Sequence, residues 1–548
     1  MKTMVSAQCV SMGLAASMVQ AGPVTLDAQR LYDGLEARKV TLTAGGEAVR
    51  LDARVFDFGR KREGVLTTDP IDLGPTQGLI RLPAHVRSVA VAVKADVPSG
   101  AAVALEARTG AHGLDLSGWS PWTKLDGLEA TVPEPAGRYI QVRLTLSAAN
   151  REALPSVVSL VLTPDLDPAL RPKTSLTVKD HRVESIVRSP IVFHYERPDH
   201  PRMVQFRQEN ALDEVVAGAT NEVEALIRLM DWTGACNNVR GTRRQRNEDG
   251  SYAWNIDKVF SLEGGKPNIY GHCMSYAEVL VTAAIAMGHV SARHYAVQGF
   301  RDATHEVVEV WAPSLGKWIY LDPSLTNYYY DKETGTPLDI VEIHDIVAKL
   351  FVPDGKDMHW WSNRRSKETR NRVKAVGGKN EAIGCRLGPS IYGAPMPADY
   401  DWGWRHGYLA LGFLQMTPRN DFHSHPDKAS KRFEHRPGYD GYPFWVDAKT
   451  PPTKGGRNWF TRRRDFYWTL DQASFNLVQS ATEPTLQVEL GHSMPFFKEY
   501  RLTVDGKTSV TTDPVYVWPL NKGMNRLEVV PVDAFGKVGQ GSSVSVER

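Results

Sequence analysis

The sequence predicts an α+β fold, with a mixed helix–strand core set between N-terminal and C-terminal β-sandwich modules. Three observations predict it. Residues 22–165 and 464–548 alternate apolar and polar positions between turn clusters, whereas residues 208–352 switch between helical and strand periodicity. At 548 residues the chain is also too long for one domain of usual size, and three is the ordinary expectation.

In the first module Val89, Val91 and Val93 alternate with small residues, and Tyr139 to Leu146 alternates apolar and polar. A period of two puts one set of side chains on one sheet face and the other set opposite. Pro98-Ser99-Gly100 and Pro133–Gly137 supply turns between the strands. Trp119 and Trp122 are stacking candidates if this module binds carbohydrate, although such modules more often serve packing. Residues 166–207, rich in proline and charge, read as a linker.

The core opens with helical lead-in around 211–232. After Cys273 the apolar residues Ala277, Leu280, Val281, Ala284 and Ile285 recur at three- and four-residue steps, and Gly288 is a plausible stop. Gly264, Gly265, Pro267 and Asn268 are turn residues, so the helix should start close to Cys273. Residues from Val290 to Gln298 alternate as a strand. His305, Val307, Glu309 and Trp311 share one face of the next strand, and Gly316 leads into Trp318–Leu321 with Asp322 at its end. Adjacent antiparallel strands would set His305 and Asp322 side by side.

A thiol, an imidazole and a carboxylate are what an acyl-transfer enzyme uses as nucleophile, base and orienter. A thiol at a helix N-terminus also meets free amide hydrogens and the positive end of the macrodipole, which favour the thiolate and a developing oxyanion. Each residue also has a plain reading. Cysteine is often a small buried residue, a lone histidine is usually structural, and an aspartate before proline commonly ends a strand.

Residues 268–323 resemble the transglutaminase-like superfamily. The resemblance rests on Gly271-His272-Cys273 at a helix start, His305-Glu306-Val307-Val308-Glu309-Val310 on a strand and Leu321-Asp322-Pro323 at a strand end. It implies a papain/transglutaminase-like core with Cys273 as nucleophile, His305 as base and Asp322 as orienter. Val307 replaces the common aromatic residue, and His272 stands where tissue-type members carry glutamine. The match therefore leans to the bacterial cysteine protease and amidase branch. The family's second oxyanion donor has Trp254, Tyr270 and Trp232 as candidates.

The expected function is a cysteine hydrolase or acyltransferase that cleaves or transfers an amide or peptide acyl group through a thioester at Cys273. Hydrolysis is the default, and no metal or organic cofactor is expected. The substrate, whether protein, peptide or glycan, stays open. Alternatives are a polysaccharide-degrading lyase or glycosidase on the same core, with His305, Tyr320 or Tyr328-Tyr329-Tyr330 carrying protons, a peptide-N-glycanase-like amidase, and a catalytically silent binding protein.

Residues 353–463 hold Trp360, Trp361, Trp402, Trp404, Trp445 and Trp459 among many Gly and Pro residues. A long irregular segment beside a core commonly caps a cleft, and Trp360, Trp361, Trp402 and Trp404 are its substrate-lining candidates. The plainer reading, rings that staple the segment to the core, is preferred for most of them. His423, His425 and His435 with Asp421 and Asp427 match no metal-site spacing and read as surface groups. In the last module Tyr500–Val504 runs into Asp505-Gly506, a hairpin signal, in the style of immunoglobulin- or fibronectin-like strands.

A formal charge of +2 argues against a nucleic-acid partner. Arg240, Arg243, Arg244 and Arg246, and the run Arg462-Arg463-Arg464, read as solvated faces or contacts to an acidic substrate. No stretch is long and apolar enough for a transmembrane segment. Lys2, a mildly apolar Met4–Val19 and Val19-Gln20-Ala21 read as a cleaved signal peptide over 1–21, hence a secreted or periplasmic protein. Of the four cysteines, Cys9 would leave with that signal. Cys236 and Cys385 would then form a disulfide with Cys273 kept free; three reduced thiols are the equal alternative.

Overall fold

The computed structural model describes residues 22–59, 61–167, 172–239, 256–298, 304–351, 383–386, 414–424, 442–446 and 458–548. The proposed signal segment and Cys9 lie outside these residues.

The alternation of the first module becomes two six-stranded antiparallel sheets. One runs through Val86–Asp96 and Ser156–Leu166, the other through Ala101–Gly110 and Tyr139–Ala148. Val89, Val91 and Val93 face inward with Ile140, Val142, Leu144 and Leu146 in one apolar cluster. Phe444, Val446 and Trp459, from far along the chain, complete that cluster. The Trp459 indole points its N–H at Asp52 Oδ2, 3.4 Å away, and Lys39 caps the ring.

The last module is two five-stranded sheets, and each contains strand from the first half of the chain. Thr177–Arg182 pairs antiparallel with the final strand, Ser542–Glu547. Ile80–Arg81 pairs parallel with Ala473–Gln479. The stretch read as a linker thus carries a sheet strand, and the helix Pro201–Glu209 also starts within it. Its high charge is compatible with an edge position, where one face of Thr177–Arg182 meets water. Asp505 and Gly506 both adopt positive φ, 47° and 82°, and close the hairpin between Phe497–Val504 and Lys507–Thr511.

The core centres on the helix Cys273–Ala286, in which every residue from Met274 onward is buried. An apolar helix without a polar face belongs inside a fold. It packs against the helices Pro201–Glu209 and Glu222–Ala235 and against the strand Thr304–Ala312. Full burial of side chains such as Leu280 or Ile285 stabilises by roughly 1.5–3 kcal/mol each. The helix ends as a Schellman motif: the Gly288 amide donates to the Ile285 carbonyl and the His289 amide to Ala284, each at 2.8 Å, with Gly288 at φ 93°. That turn occupies the start of the expected strand, which begins at Arg293 rather than Val290.

A six-stranded sheet backs this helix, in the order Lys317–Leu321, Thr304–Ala312, Arg293–Gln298, Leu414–Met416, Phe444–Trp445 and Trp459–Phe460. Val308, Val310, Ile319 and Leu321 face the helix. Val307, Trp311, Trp318 and Tyr320 face a second, aromatic cluster that includes Trp445 and Phe460. Trp445 and Trp459 are therefore staples. Trp360, Trp361, Trp402 and Trp404 lie outside the described residues.

Candidate active site

Gly271, at φ 129°, occupies backbone space that side chains avoid and turns the chain from the strand Lys266–Tyr270 into the helix. The Ser275 hydroxyl ties this turn down by donating to the Tyr270 carbonyl at 2.8 Å. Cys273 is the first helical residue, and the preceding His272 makes no side-chain cap. The Ser275 amide donates to the His272 carbonyl at 3.0 Å, whereas no side-chain oxygen caps the Cys273 and Met274 amides, which can face an oxyanion. The Cys273 thiol is partly exposed.

The structure brings Cys273, His305 and Asp322 together. His305 Nε2 lies 2.7 Å from Asp322 Oδ2, and the Cys273 thiol is near enough to raise the basicity of the same imidazole. With Nε2 turned to the carboxylate, Nδ1 is the ring nitrogen left for sulfur. The His305 side chain is 12% exposed and that of Asp322 1%, so solvent screens their attraction little. Burial opposes charge on His305, but the Asp322 carboxylate and the hydrogen bond to Cys273 outweigh it and raise the imidazole well above the ordinary histidine value. Burial likewise pushes Asp322 up. The charge and hydrogen bond of His305, with bonds from Ser324 and Leu325, bring it below the usual carboxylate range.

His305 and Asp322 are not directly opposed. The ladder between their strands ends at Val308 opposite Leu321, so the two side chains meet diagonally on one sheet face. A turn holds the carboxylate in place: Oδ1 accepts the Ser324 hydroxyl at 2.8 Å and the Ser324 and Leu325 amides at 3.1 Å each. Tyr320 OH lies 3.4 Å from Oδ2. Sequence reasoning missed Ser324 and Leu325, and named Tyr320 only as a proton carrier in the polysaccharide-degrading alternative. Asp-Pro-Ser is an Asx-turn signal, so the turn itself was readable.

The other expected site residues are placed elsewhere. Tyr270 is buried, and its hydroxyl engages Ser261 and Glu263 rather than a point beside the thiol. Trp232 packs against Phe206 and Phe260. Trp254 lies outside the described residues.

Cys236 and Cys385 are not joined to each other, which corrects the expected disulfide. Cys236 sits in the apolar cluster around the central helix, and Cys385 packs on the aromatic cluster of the opposite sheet face. Burial pushes the Cys236 thiol up to about 12. No group of metal-ligating side chains is present among the described residues. His423, expected at the surface, is buried against His200, and burial depresses it to about 4. Asp421 pairs with Arg419 at 2.6 Å, while His425, His435 and Asp427 lie outside the described residues.

Trp119 donates its indole N–H to the His112 carbonyl at 2.8 Å. Trp122 is covered by the guanidinium groups of Arg143 and Arg108, 3.9 and 4.7 Å from its ring centre. No helix among the described residues is long and apolar enough to cross a membrane.

No protein-family model matches the chain, and no curated protein matches it. Among solved structures, a β-(1,4)-mannanase from Podospora anserina is 13% identical over 41% of this chain and 38% of its own length, with a TM-score of 0.15. This chain therefore spans well under half of that enzyme. A red sea bream transglutaminase is 12% identical over 89% of this chain and 80% of its own, with a TM-score of 0.19. At such scores neither likeness bears on fold or activity.

Proposed function

We propose that this protein is an exported, transglutaminase-like cysteine enzyme that hydrolyses a carboxamide or peptide bond through a thioester at Cys273. The observation that carries the reading is one chain of contacts. A partly exposed thiol at a helix N-terminus without a side-chain cap lies near enough to an imidazole to raise its basicity, and a buried carboxylate bonds that imidazole at 2.7 Å.

His305 takes the thiol proton as sulfur attacks the carbonyl carbon. The oxyanion rests on the Cys273 amide. As the carbon–nitrogen bond breaks, His305 returns the proton to the leaving amine. A water molecule, losing its proton to His305, then resolves the thioester to a carboxylic acid and the free thiol. An amine in place of water gives transamidation. Asp322 keeps Nε2 of the ring turned away from sulfur and stabilises the imidazolium formed in each half-reaction.

The test is iodoacetamide labelling of native protein across pH, followed by release of amine from a panel of amides. Cys273 is expected to label ahead of Cys236 and Cys385 near pH 6, and His305→Ala to abolish that selectivity. Labelling of Cys273 at the rate of an ordinary thiol, whose pKa is about 8.5, defeats the proposal. So does amidase activity that survives complete alkylation.

A further inference from the structure

We propose that the crevice between the first module, the connecting segment and the start of the last module binds a carboxylate-bearing, hydroxyl-rich ligand of the acidic-sugar class, its carboxylate held by Arg188. This site is separate from the Cys273 centre and does not depend on how that centre acts.

The crevice is a cavity of about 710 Å³, with Asp69 and Tyr139 from the first module, Arg188 from the connecting segment, Arg464, and Asn476 from the last module on its walls. That volume lies within the range of small-molecule sites, about 300–1,000 Å³. Cys273, His305 and Asp322 are not on its walls.

Its charges are nearly all matched. Asp72 takes Arg81 at 2.8 Å and Arg138 at 2.7 Å, and Asp69 takes Arg464 at 3.0 Å. Arg463 pairs with Asp339, and Arg462 with Asp465. Arg188 is the exception. Its guanidinium donates to the Leu114 carbonyl, and no carboxylate among the described residues lies within ion-pair distance. It is only partly exposed, and burial outweighs the more distant charges of Asp69 and Asp115 and holds its proton less tightly than in an ordinary arginine.

One unmatched fork suits one planar carboxylate. A dianion is disfavoured, because the neighbouring arginines are already neutralised and the Asp33 carboxylate also lines the wall. The Asp33 carboxylate and the Ser185 hydroxyl on the wall suit a ligand's hydroxyls rather than an apolar body, while Tyr139 and the Asn476 amide nitrogen are held by Glu489 and Thr461 by Tyr32. Arg188 also borders a second cavity of about 320 Å³ walled by Phe193, Tyr195 and Trp468. A sugar ring reaching from the arginine would meet aromatic surface there.

Isothermal titration of the full-length chain with D-glucuronate tests this, with D-glucose and acetate titrated in parallel. Glucuronate is expected to saturate one site, with glucose and acetate at least about tenfold weaker. Arg188→Gln should weaken glucuronate about 10- to 100-fold, the loss of one charge-assisted fork. Cys273→Ser should leave the titration unchanged, which separates this site from the thiol. If Arg188→Gln melts early, Arg188→Lys is used; it keeps the charge but not the fork, and should still weaken binding. Absence of glucuronate binding, acetate binding as tight as glucuronate, or wild-type affinity in a folded Arg188 variant each overturns the proposal.

Discussion

Replacing Asp322 by asparagine isolates what the carboxylate does. Oδ1 of asparagine can still accept from the Ser324 hydroxyl and from the Ser324 and Leu325 amides, so the turn should survive. The other position changes from acceptor to donor, 2.7 Å from His305 Nε2. To avoid two facing donors, the ring must carry its proton on Nδ1, toward Cys273, and can no longer take one from sulfur. In the serine–histidine–aspartate arrangement the same change costs about 10⁴ in kcat, and a loss of about 10³–10⁴ in Cys273 acylation is expected here.

Stability should change far less. The lost charge-assisted bond is worth about 1.5–3 kcal/mol, and the neutral side chain is cheaper to bury, which leaves about 1–2 kcal/mol. The pH dependence has a definite sign. His305 is raised on folding, so its contribution is complete below its unfolded value of about 6.5 and lost as pH climbs through its folded value. Asp322 is depressed, so its contribution is complete above about 3.9 and lost as pH falls through its folded value. The melting gap between wild type and Asp322→Asn should therefore be widest between about pH 4 and 6.5. Stopped-flow alkylation and melting curves from pH 3 to 9 measure both effects. An unchanged alkylation rate, or a gap that keeps growing above pH 8, refutes the reasoning.

Glu278 lies fully inside the central helix, and burial together with the charge of Glu306 raises its carboxyl well above the usual value. Such a group stabilises below its unfolded value and loses that contribution as pH rises through its folded one. Glu278→Gln should thus melt with wild type at pH 5 and above it at pH 9; equal melting at both is the contrary result. Glu309 and Arg293 form an ion pair with both side chains 0% exposed, and Glu309 Oε1 also accepts from the Ile340 amide at 2.8 Å. Glu309→Ala should cost about 3–5 kcal/mol in urea unfolding, and a loss below about 1 kcal/mol contradicts that account. Cys236 and Cys385 should both be recovered alkylated in non-reducing peptide maps of denatured protein, and a bridged peptide pair refutes the free-thiol assignment.

The candidate site was legible because its chemistry is local in sequence. Cys273 and Asp322 are 49 positions apart, and helix, strand and turn signals each act over a few positions. Helical spacing after Cys273 and Gly288 as the stop fixed the helix closely. The diagonal meeting of His305 and Asp322 was not legible, since strand register depends on pairings that single-strand alternation does not specify. The buried pair Arg293–Glu309 was hidden for a different reason. Charged residues on an alternating strand read as the wet face, and only the arrival of Trp318 and the Phe466 carbonyl from distant segments makes that face a core.

The module boundaries were the least legible feature, and their form bears on how the core is held. Strand Ile80–Arg81 pairs with the strand that begins at Ala473, and Thr177–Arg182 lies against the final strand. No local pattern names a partner almost four hundred residues away. Such crossings leave the core clasped rather than tethered. Trp459 is fixed in the first module's interior, and the Arg462 guanidinium reaches the Gly34 carbonyl at 2.8 Å. Arg293 Nη1 donates to the Phe466 carbonyl at 2.6 Å, so the chain leaving the first module binds directly to the sheet that carries His305. An imidazole whose placement relative to sulfur and carboxylate has a tolerance of about 0.5 Å gains from a sheet pinned at both faces. The flanking modules thus contribute rigidity around Cys273 even though they supply none of the three side chains proposed to act there.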